Sequence, residues 1–243
     1  MTKDTTHWFA SWFDTPYYHI LYKDRDHTEA QAFMDTLTDY LNLPEDGKIL
    51  DLACGKGRHS IYLNSLGYDV TGVDLSESSI AYAKEFENER LHFKVHDMCQ
   101  PFGEQFDAVF NLFTSFGYFE KEEDNLKTIK AIKKDLNDFG FGVIDFMNVN
   151  YVLENLVAKD TKIVDGITFN QKRFHEDGYI VKDISFEVEN QSYNFQERVK
   201  AFTLDDFEEL FNEAGCYLLD VFGDYKLHKY DPKVSERLIM IFK

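Results

Sequence analysis

The chain has 243 residues and a formal net charge of −18, because 26 Lys and Arg stand against 44 Asp and Glu. This excess of acid repels a phosphate backbone, so we expect no nucleic-acid partner. Hydrophobic residues make up 44% of the chain and aromatic residues 16%, which excludes a disordered acidic chain. The composition therefore predicts a globular protein with a buried core and an acidic surface.

The cysteines and apolar segments give a first indication of compartment. Cys54, Cys99 and Cys216 are too few and too scattered for a disulfide framework or a zinc site, and we predict no metal site. Residues 1–18 lack the apolar stretch of a signal peptide, and no run approaches the roughly 20 apolar residues that cross a membrane. We therefore expect a cytoplasmic protein with no membrane partner.

Strands and helices are predicted to alternate after a first helix over 27–43. Short apolar runs predict strands over 48–53, 68–74, 91–96, 106–113 and 139–147. Amphipathic stretches between them predict helices over 58–66, 77–86 and 122–136. With two last strands over 217–223 and 237–242, this order predicts a doubly wound α/β fold with a mostly parallel seven-stranded sheet.

The pattern changes over 161–201, where polar and apolar residues alternate in β-prone segments broken by turn sequences. This stretch predicts a small antiparallel β insertion of three or four strands, which would be a substrate lid or the edge of a homodimer. The remaining domain would comprise 1–160 and 202–243. The helix after the insertion is predicted to begin with a capping box at Thr203 and to end at Gly215.

A glycine-containing loop follows the first predicted strand, in the sequence DLACGKGRHS over 51–60. Gly55 and Gly57 let the backbone turn sharply and approach a ligand, although the match to a dinucleotide fingerprint is incomplete. Asp74 ends the second strand, 19 residues after Gly55, where its carboxylate can accept both hydroxyl protons of a ribose. The alternative role for Asp74 is to cap the following helix.

Two further carboxylates distinguish between possible cofactors. Asp51 lies inside the end of an apolar strand, where it would repel a pyrophosphate and attract a sulfonium or an ammonium group. Asp97 follows the third strand and can accept a hydrogen bond from an adenine amino group, unless it is a solvated turn residue. The loop therefore suits a cationic amino-acid tail better than a dinucleotide.

The motifs DLACGKG, GVDLS, HDM and FDAVFNLFTSFGYF together resemble the class I S-adenosylmethionine-dependent methyltransferases over about 47–147. NLFTSFGYF, YYHILYKDRD and the β-rich insertion are similar to small-molecule N-methyltransferases, including those that dimethylate amino groups of nucleotide-linked sugars. The resemblance implies a Rossmann-like methyltransferase fold and the cofactor S-adenosyl-L-methionine. It also implies transfer of a methyl group to an amine or hydroxyl of a small molecule.

The resemblance implies cofactor contacts along the whole motif region. The positions are Tyr22, Arg25, Asp51, Ala53, Gly55, Gly57, Asp74, Leu75, Asp97, Met98 and Asn111. Gly55 and Gly57 would lie against the methionine moiety, and the carbonyl of Ala53 would accept from its ammonium group. Leu75 and Met98 would pack on the adenine.

At the reacting end of the cofactor, the resemblance implies that Asn111 lines the path past the methyl group. Tyr22 and Arg25 would close over the carboxylate of the methionine moiety, where Arg provides a planar two-donor grip. The chain departs from the commoner family pattern at Lys56, Arg58 and His59, a segment in which smaller residues often occur.

The catalytic residue is not identified by the sequence, because an in-line methyl transfer requires alignment and exclusion of water more than a reactive side chain. Substrate-side candidates are Tyr118, Phe116 and His19, and further candidate bases are His175 and His228. The aromatic residues from 113 to 119 form either core packing or a wall beside the acceptor. Two alternative functions are a nicotinamide-dependent oxidoreductase and a non-catalytic adenosyl-ligand-binding module.

Overall fold

The computed structural model describes residues 12–23, 27–119 and 121–243. They form two compact units. The large unit comprises residues 27–152 and Phe202–Lys243, and the small unit comprises residues 12–23 and Leu153–Ala201.

Strands and helices alternate along the chain, as the sequence predicts. The strands are β1 (Lys48–Leu52), β2 (Asp69–Asp74), β3 (Leu91–Val95), β4 (Phe106–Asn111), β5 (Leu136–Met147), β6 (Lys159–Val164), β7 (Ile167–Glu176), β8 (Tyr179–Val188), β9 (Gln191–Lys200), β10 (Leu218–Phe222) and β11 (Arg237–Phe242). The helices that we number are α1 (Pro16–Leu21), α2 (His27–Leu41), α3 (Arg58–Ser65), α4 (Glu77–Ala83), α5 (Glu122–Asp135), α6 (Val149–Glu154) and α7 (Leu204–Ala214). A 3₁₀ turn over Lys84–Phe86 continues α4.

The large unit contains a seven-stranded sheet in the order β10-β11-β5-β4-β1-β2-β3. β11 is antiparallel to β5 and β10, and the pairs among β1 to β5 are parallel. Near-continuous apolar runs form the central strands because helices cover both faces of such a sheet. Ile49, Val109 and Ile144 illustrate this, since each is fully buried. The predicted doubly wound fold is confirmed.

Several boundaries differ from the prediction. β5 begins at Leu136, three residues earlier than expected, because Leu136 pairs with Phe106 before the register shifts. The short helices α1 and α6 were not predicted. The capping box of α7 is present, with Thr203 accepting from the Asp206 backbone and Gly215 closing the helix at φ 72°.

The direction of chain progression reverses between β1 and β4. β1 pairs with β2 on one side and with β4 on the other. The strands from β1 to β3 therefore extend toward one edge of the sheet, and β4 and β5 extend toward the other edge. In doubly wound sheets the ligand crevice lies at this switch point, at the carboxyl ends of the strands. The loops that follow β1 and β4 are therefore the place to look for the site.

The small unit contains an antiparallel sheet in the order β6-β7-β8-β9. One face packs on a core that includes Trp12 and Leu21 from the N-terminal segment together with Phe169, Ile184 and Phe186. This unit is larger than the predicted insertion over 161–201, because residues 12–23 supply part of its apolar core. Its role as a lid or a dimer edge stays a prediction.

Three observations concern the described residues as a set. No helix in these ranges is long and apolar enough to cross a membrane. No group of three or more His, Cys, Asp or Glu side chains in the same ranges could hold a metal ion. The three cysteines are free thiols.

Candidate active site

The loop after β1 carries left-handed backbone at Ala53 (φ 59°), Gly55 (φ 56°) and Gly57 (φ 79°). A Cβ added to Gly55 would meet no atom within 4 Å, so this glycine faces open space. A Cβ on Gly57 would lie 2.5 Å from the ring of Phe93. Gly55 can therefore approach a ligand, whereas Gly57 also has a packing role that allows α3 to lie close to the sheet.

Asp74 fixes this loop from the end of β2. Its Oδ2 accepts a hydrogen bond from the Gly55 backbone N–H at 2.8 Å, and its Oδ1 accepts from Ser76 N–H at 2.8 Å. An ionised carboxylate only accepts hydrogen bonds, which is the property that recognition of two ribose hydroxyl groups requires. The neighbouring Leu75 is 41% exposed, which leaves its side chain available to a ring.

Asp51 is a buried carboxyl group at the end of β1. Its Oδ2 accepts from Ser60 Oγ at 2.6 Å. Burial, the largest cause, and the charge of Asp74 raise the pKa of Asp51, while the Ser60 hydrogen bond and Arg58 lower it, and the net result is a pKa of about 7. A carboxylate in this setting is stabilised when a cation binds beside it.

Asp97, Met98 and Asn111 meet where β3 and β4 end. Asp97 is half-buried, and its Oδ1 accepts from the backbone N–H of Cys99 at 2.9 Å. Asn111 is fully buried and directs its Nδ2 toward Leu52 O at 3.4 Å and Met98 Sδ at 3.7 Å. Among the described residues, Asn111 Oδ1 has no hydrogen-bond partner, so this acceptor remains for a ligand.

The loop after β4 is held by an ion pair that sequence reasoning missed. Asp145 on β5 is fully buried and accepts from Phe113 N–H and from Arg237 Nε, both at 2.8 Å. Arg237 also donates to Thr114 Oγ1 at 2.9 Å. Burial raises the pKa of Asp145, and the Arg237 guanidinium opposes that rise. The available signal was a charged residue within the apolar strand VIDFM, because a buried carboxylate requires a partner.

The same ion pair fixes an unusual backbone. Phe113 and Thr114 have φ angles of 59° and 60°, in the left-handed region that residues with a Cβ rarely adopt. Together with Ala53, they place strained backbone after both strands at the switch point, a pattern typical of functional sites.

Phe113 joins the loops after β1 and β4. The His59 ring stacks on the Phe113 ring with centroids 4.4 Å apart, and the Arg58 guanidinium lies 5.8 Å from the same ring. The Tyr225 ring is 5.6 Å from Phe113. Two departures from the family pattern, Arg58 and His59, thus have a structural reason, since they pack against the second loop.

Of the acceptor-side candidates in the large unit, Phe116 is fully buried. Its ring lies 5.4 Å from that of Phe207 and 6.0 Å from that of Phe202, so core packing accounts for it. Tyr118 is half-buried. His228 is exposed and bonded to Asp224 at 2.7 Å.

The remaining candidates belong to the small unit or lie outside the described residues. The Tyr22 hydroxyl donates to Glu197 at 2.7 Å and accepts from Lys182, while the half-buried His19 ring lies 5.4 Å from that of Tyr18. His175 is exposed on β7. Arg25 falls outside the described residues. The roles predicted for these residues toward a cofactor or acceptor stay predictions.

The strand order and the carboxylates at the ends of β1 to β3 define the class of Rossmann-like methyltransferases. A family model described as a methyltransferase domain matches residues 49–140. The chain is 31% identical to the "Putative methyltransferase YqeM" of Bacillus subtilis (strain 168) over 215 residues, covering 82% of this chain and 86% of that protein. The chain therefore belongs to the S-adenosylmethionine-dependent methyltransferase family, and its cofactor is S-adenosyl-L-methionine.

Other relatives share most of the chain. A glycine/sarcosine N-methyltransferase from Aphanothece halophytica is 27% identical over 219 residues, 86% of this chain and 80% of its own. A solved S-adenosylmethionine-dependent methyltransferase from Clostridium acetobutylicum ATCC 824 has a TM-score of 0.78 at 23% identity, covering 93% of this chain and 95% of that one. CalS10, an amino pentose methyltransferase from Micromonospora echinaspora, has a TM-score of 0.70 at 19% identity, with 94% and 96% covered. The family model and the relatives confirm the predicted class of enzyme, an S-adenosylmethionine-dependent methyltransferase and not a nicotinamide-dependent oxidoreductase.

Proposed function

We propose that this enzyme transfers the methyl group of S-adenosylmethionine to the amine of a small molecule. The observation that carries the proposal is the row of carboxylates Asp51, Asp74 and Asp97 at the carboxyl ends of three adjacent parallel strands. Gly55 lies in the loop that follows Asp51, and this position faces open space, because a Cβ added to it would have no atom within 4 Å. This arrangement fits a ligand with one cationic tail, one ribose and one adenine.

The methionine end would bind at the loop after β1. The Asp51 carboxylate attracts the ammonium group, and the Ala53 carbonyl accepts one of its protons. The left-handed backbone at Ala53 turns the chain toward Gly55, whose open side admits the ligand. Gly57 supports this turn by packing on Phe93.

The adenosine end would bind at the ends of β2 and β3. Asp74, whose carboxylate is held at the end of β2 by the Gly55 and Ser76 N–H groups, would accept from the two ribose hydroxyls. Leu75 covers one face of the adenine and Met98 the other side, while the second oxygen of Asp97 accepts from the amino group.

S-adenosylmethionine supplies, when bound, a methyl group on a positively charged sulfur. The S–C bond breaks as the new N–C bond forms, and the sulfur becomes a neutral thioether. The chain has to align the acceptor nitrogen with that methyl group and exclude water. Asn111 would line the path with its unpartnered Oδ1, and Tyr118 would contact the acceptor. The amine must be unprotonated before transfer and must lose a proton afterwards, either to water or to a base.

Charge and relatives both favour an amine. The net charge of −18 attracts cationic amines and repels polyphosphates. One relative is a glycine/sarcosine N-methyltransferase, and one protein of similar fold is an amino pentose methyltransferase, so both names carry a substrate with an amino group. Amino acids and amino sugars are therefore the acceptor classes to test first.

A radiometric assay with methyl-labelled S-adenosylmethionine tests the proposal. Glycine, sarcosine and free amino sugars are compared with the matched hydroxy acid and the parent sugars, at a pH above the pKa of the amine. We expect label in the amines and little in the hydroxy compounds, and we expect Asp74→Ala to lower the signal when S-adenosylmethionine is below saturation. Label only in the hydroxy compounds would overturn the choice of nitrogen.

We further propose that the small unit binds part of the acceptor. A cavity of about 670 Å³ lies on its sheet. The residues facing it on the outer side of the strands are polar and include Lys172, Asp183, Asn194 and Gln196. Such a surface suits a ligand with several hydroxyl or amino groups.

The acceptor Michaelis constant tests this role of the small unit. Asp183→Asn should raise KM for the amine by about tenfold, equivalent to about 1.4 kcal/mol, with the Kd of S-adenosylhomocysteine unchanged. An unchanged KM would favour the second interpretation, in which the sheet is a homodimer edge. Sedimentation velocity then reports directly whether two chains associate.

A further inference from the structure

Asn125 is a buried amide that none of the interactions described so far involves. It lies near the start of α5 and is 1% exposed. Among the described residues, neither its Nδ2 nor its Oδ1 has a hydrogen-bond partner. Proteins rarely leave a buried amide unpaired on both sides, because the desolvation of each group is then uncompensated.

The position of Asn125 links it to the loop after β3. Residues three apart on a helix share a face, so Asn125 and Thr128 face the same side of α5. Cys99 Sγ lies 3.6 Å from Thr128 Oγ1 and 3.7 Å from the carbonyl oxygen of Asp124. The backbone N–H of Cys99 in turn donates to Asp97. The face of α5 that carries Asn125 and Thr128 therefore borders the loop in which Asp97 is proposed to meet the adenine.

The local charge limits what the amide can bind. The first turn of α5 carries Glu122, Glu123 and Asp124, which disfavours an anionic ligand. An asparagine side chain offers one acceptor beside one donor group, and this pair matches the N6 amino group and the N7 acceptor of adenine. A neutral purine edge fits both conditions.

We infer that Asn125 binds the edge of the adenine of S-adenosylmethionine and contributes to recognition of the base. This inference rests on the proposed adenine position beside Asp97. It explains why an unpaired amide lies at the start of α5, since its two hydrogen bonds form only when the cofactor is bound.

The substitution Asn125→Leu separates this role from a structural one. Ligand-free thermal unfolding is measured, together with calorimetric Kd values for S-adenosylhomocysteine and its inosine analogue. Leucine has a volume similar to that of asparagine but lacks its two unpaired polar groups. The substitution removes their desolvation cost, so we expect an unchanged or higher Tm. We also expect an approximately tenfold higher Kd for S-adenosylhomocysteine and a smaller preference over the inosine analogue.

Asn64→Leu is the matched control, because the Asn64 amide donates to Tyr68 and Arg90 and accepts from Asn88. Its Tm should fall while its Kd stays at the wild-type value. Asn125→Ala repeats the test if the leucine variant does not fold.

An Asn125 variant with wild-type Kd and wild-type base preference would overturn the inference. So would a lower Tm with equal weakening toward both ligands, because that result indicates a structural role. If the wild type itself binds no S-adenosylhomocysteine, the proposed cofactor site fails, and the inference fails with it.

Discussion

Protonation of Asp51 should make cofactor binding depend on pH. In the free protein, burial raises the pKa of Asp51 to about 7, so half of the molecules carry a neutral carboxyl group at that pH. An ammonium group beside Asp51 favours the charged form and lowers this pKa. Binding should therefore release a proton near neutral pH and weaken as the pH falls.

The size of the pH effect on Kd follows from the fall in the Asp51 pKa when the ligand binds. Each pKa unit corresponds to about 1.4 kcal/mol, so a fall of about two units on binding, from about 7 to about 5, makes the Kd roughly 50-fold weaker at pH 5 than at pH 8. The stability of the free protein has the opposite dependence. Its Asp51 pKa lies above the unfolded value of about 3.9, so the stabilising contribution is full below pH 4 and is lost as the pH rises through 7.

Calorimetric titration of S-adenosylhomocysteine between pH 5 and pH 8, in buffers of different ionisation enthalpy, measures both Kd and the protons released. Asp51→Asn should bind more weakly at pH 8, lose most of the pH dependence and release no proton at this site. Its free form should also gain stability over the wild type as the pH rises. A wild-type Kd that is constant over this range, with no proton release, would refute the role of Asp51.

Three further predictions concern single positions. Asp74→Ala should weaken S-adenosylhomocysteine binding at least tenfold, about 1.4 kcal/mol, and an unchanged titration would contradict ribose recognition. Gly57→Ala should lower the unfolding free energy by about 1–3 kcal/mol in urea, because its Cβ would lie 2.5 Å from Phe93; wild-type stability would argue against that contact. Arg237→Met should lower the free energy of unfolding by about 3–5 kcal/mol at neutral pH, because it leaves the buried Asp145 carboxylate without its ion-pair partner, and by less at low pH, where Asp145 is protonated. An equal loss at both pH values would contradict this explanation.

The parts of the site that the sequence could predict lie on short, regular elements. Asp51 and Asp74 end apolar strands, and parallel strands bring their ends to one edge of the sheet, so their proximity follows from the pattern alone. Thr203 and Gly215 were equally predictable, because helix capping depends on a few adjacent residues.

The remaining features depend on contacts between distant residues. Asp145 and Arg237 are 92 positions apart, and only the pairing of β5 with β11 brings them together. The N-terminal residues Trp12 and Leu21 join the core of a sheet that begins more than 130 residues later, at Lys159. Periodicity within a segment contains no information about such partners, which is why the extent of the small unit was not predicted.

A crystal structure of the complex with S-adenosylhomocysteine tests the central claim most directly. The ribose hydroxyls should lie within hydrogen-bond distance of Asp74, the ammonium beside Asp51 and the adenine between Leu75 and Asp97. A ligand bound elsewhere, or one whose ribose makes no contact with Asp74, would contradict the assignment of the site to the carboxyl ends of β1 to β3.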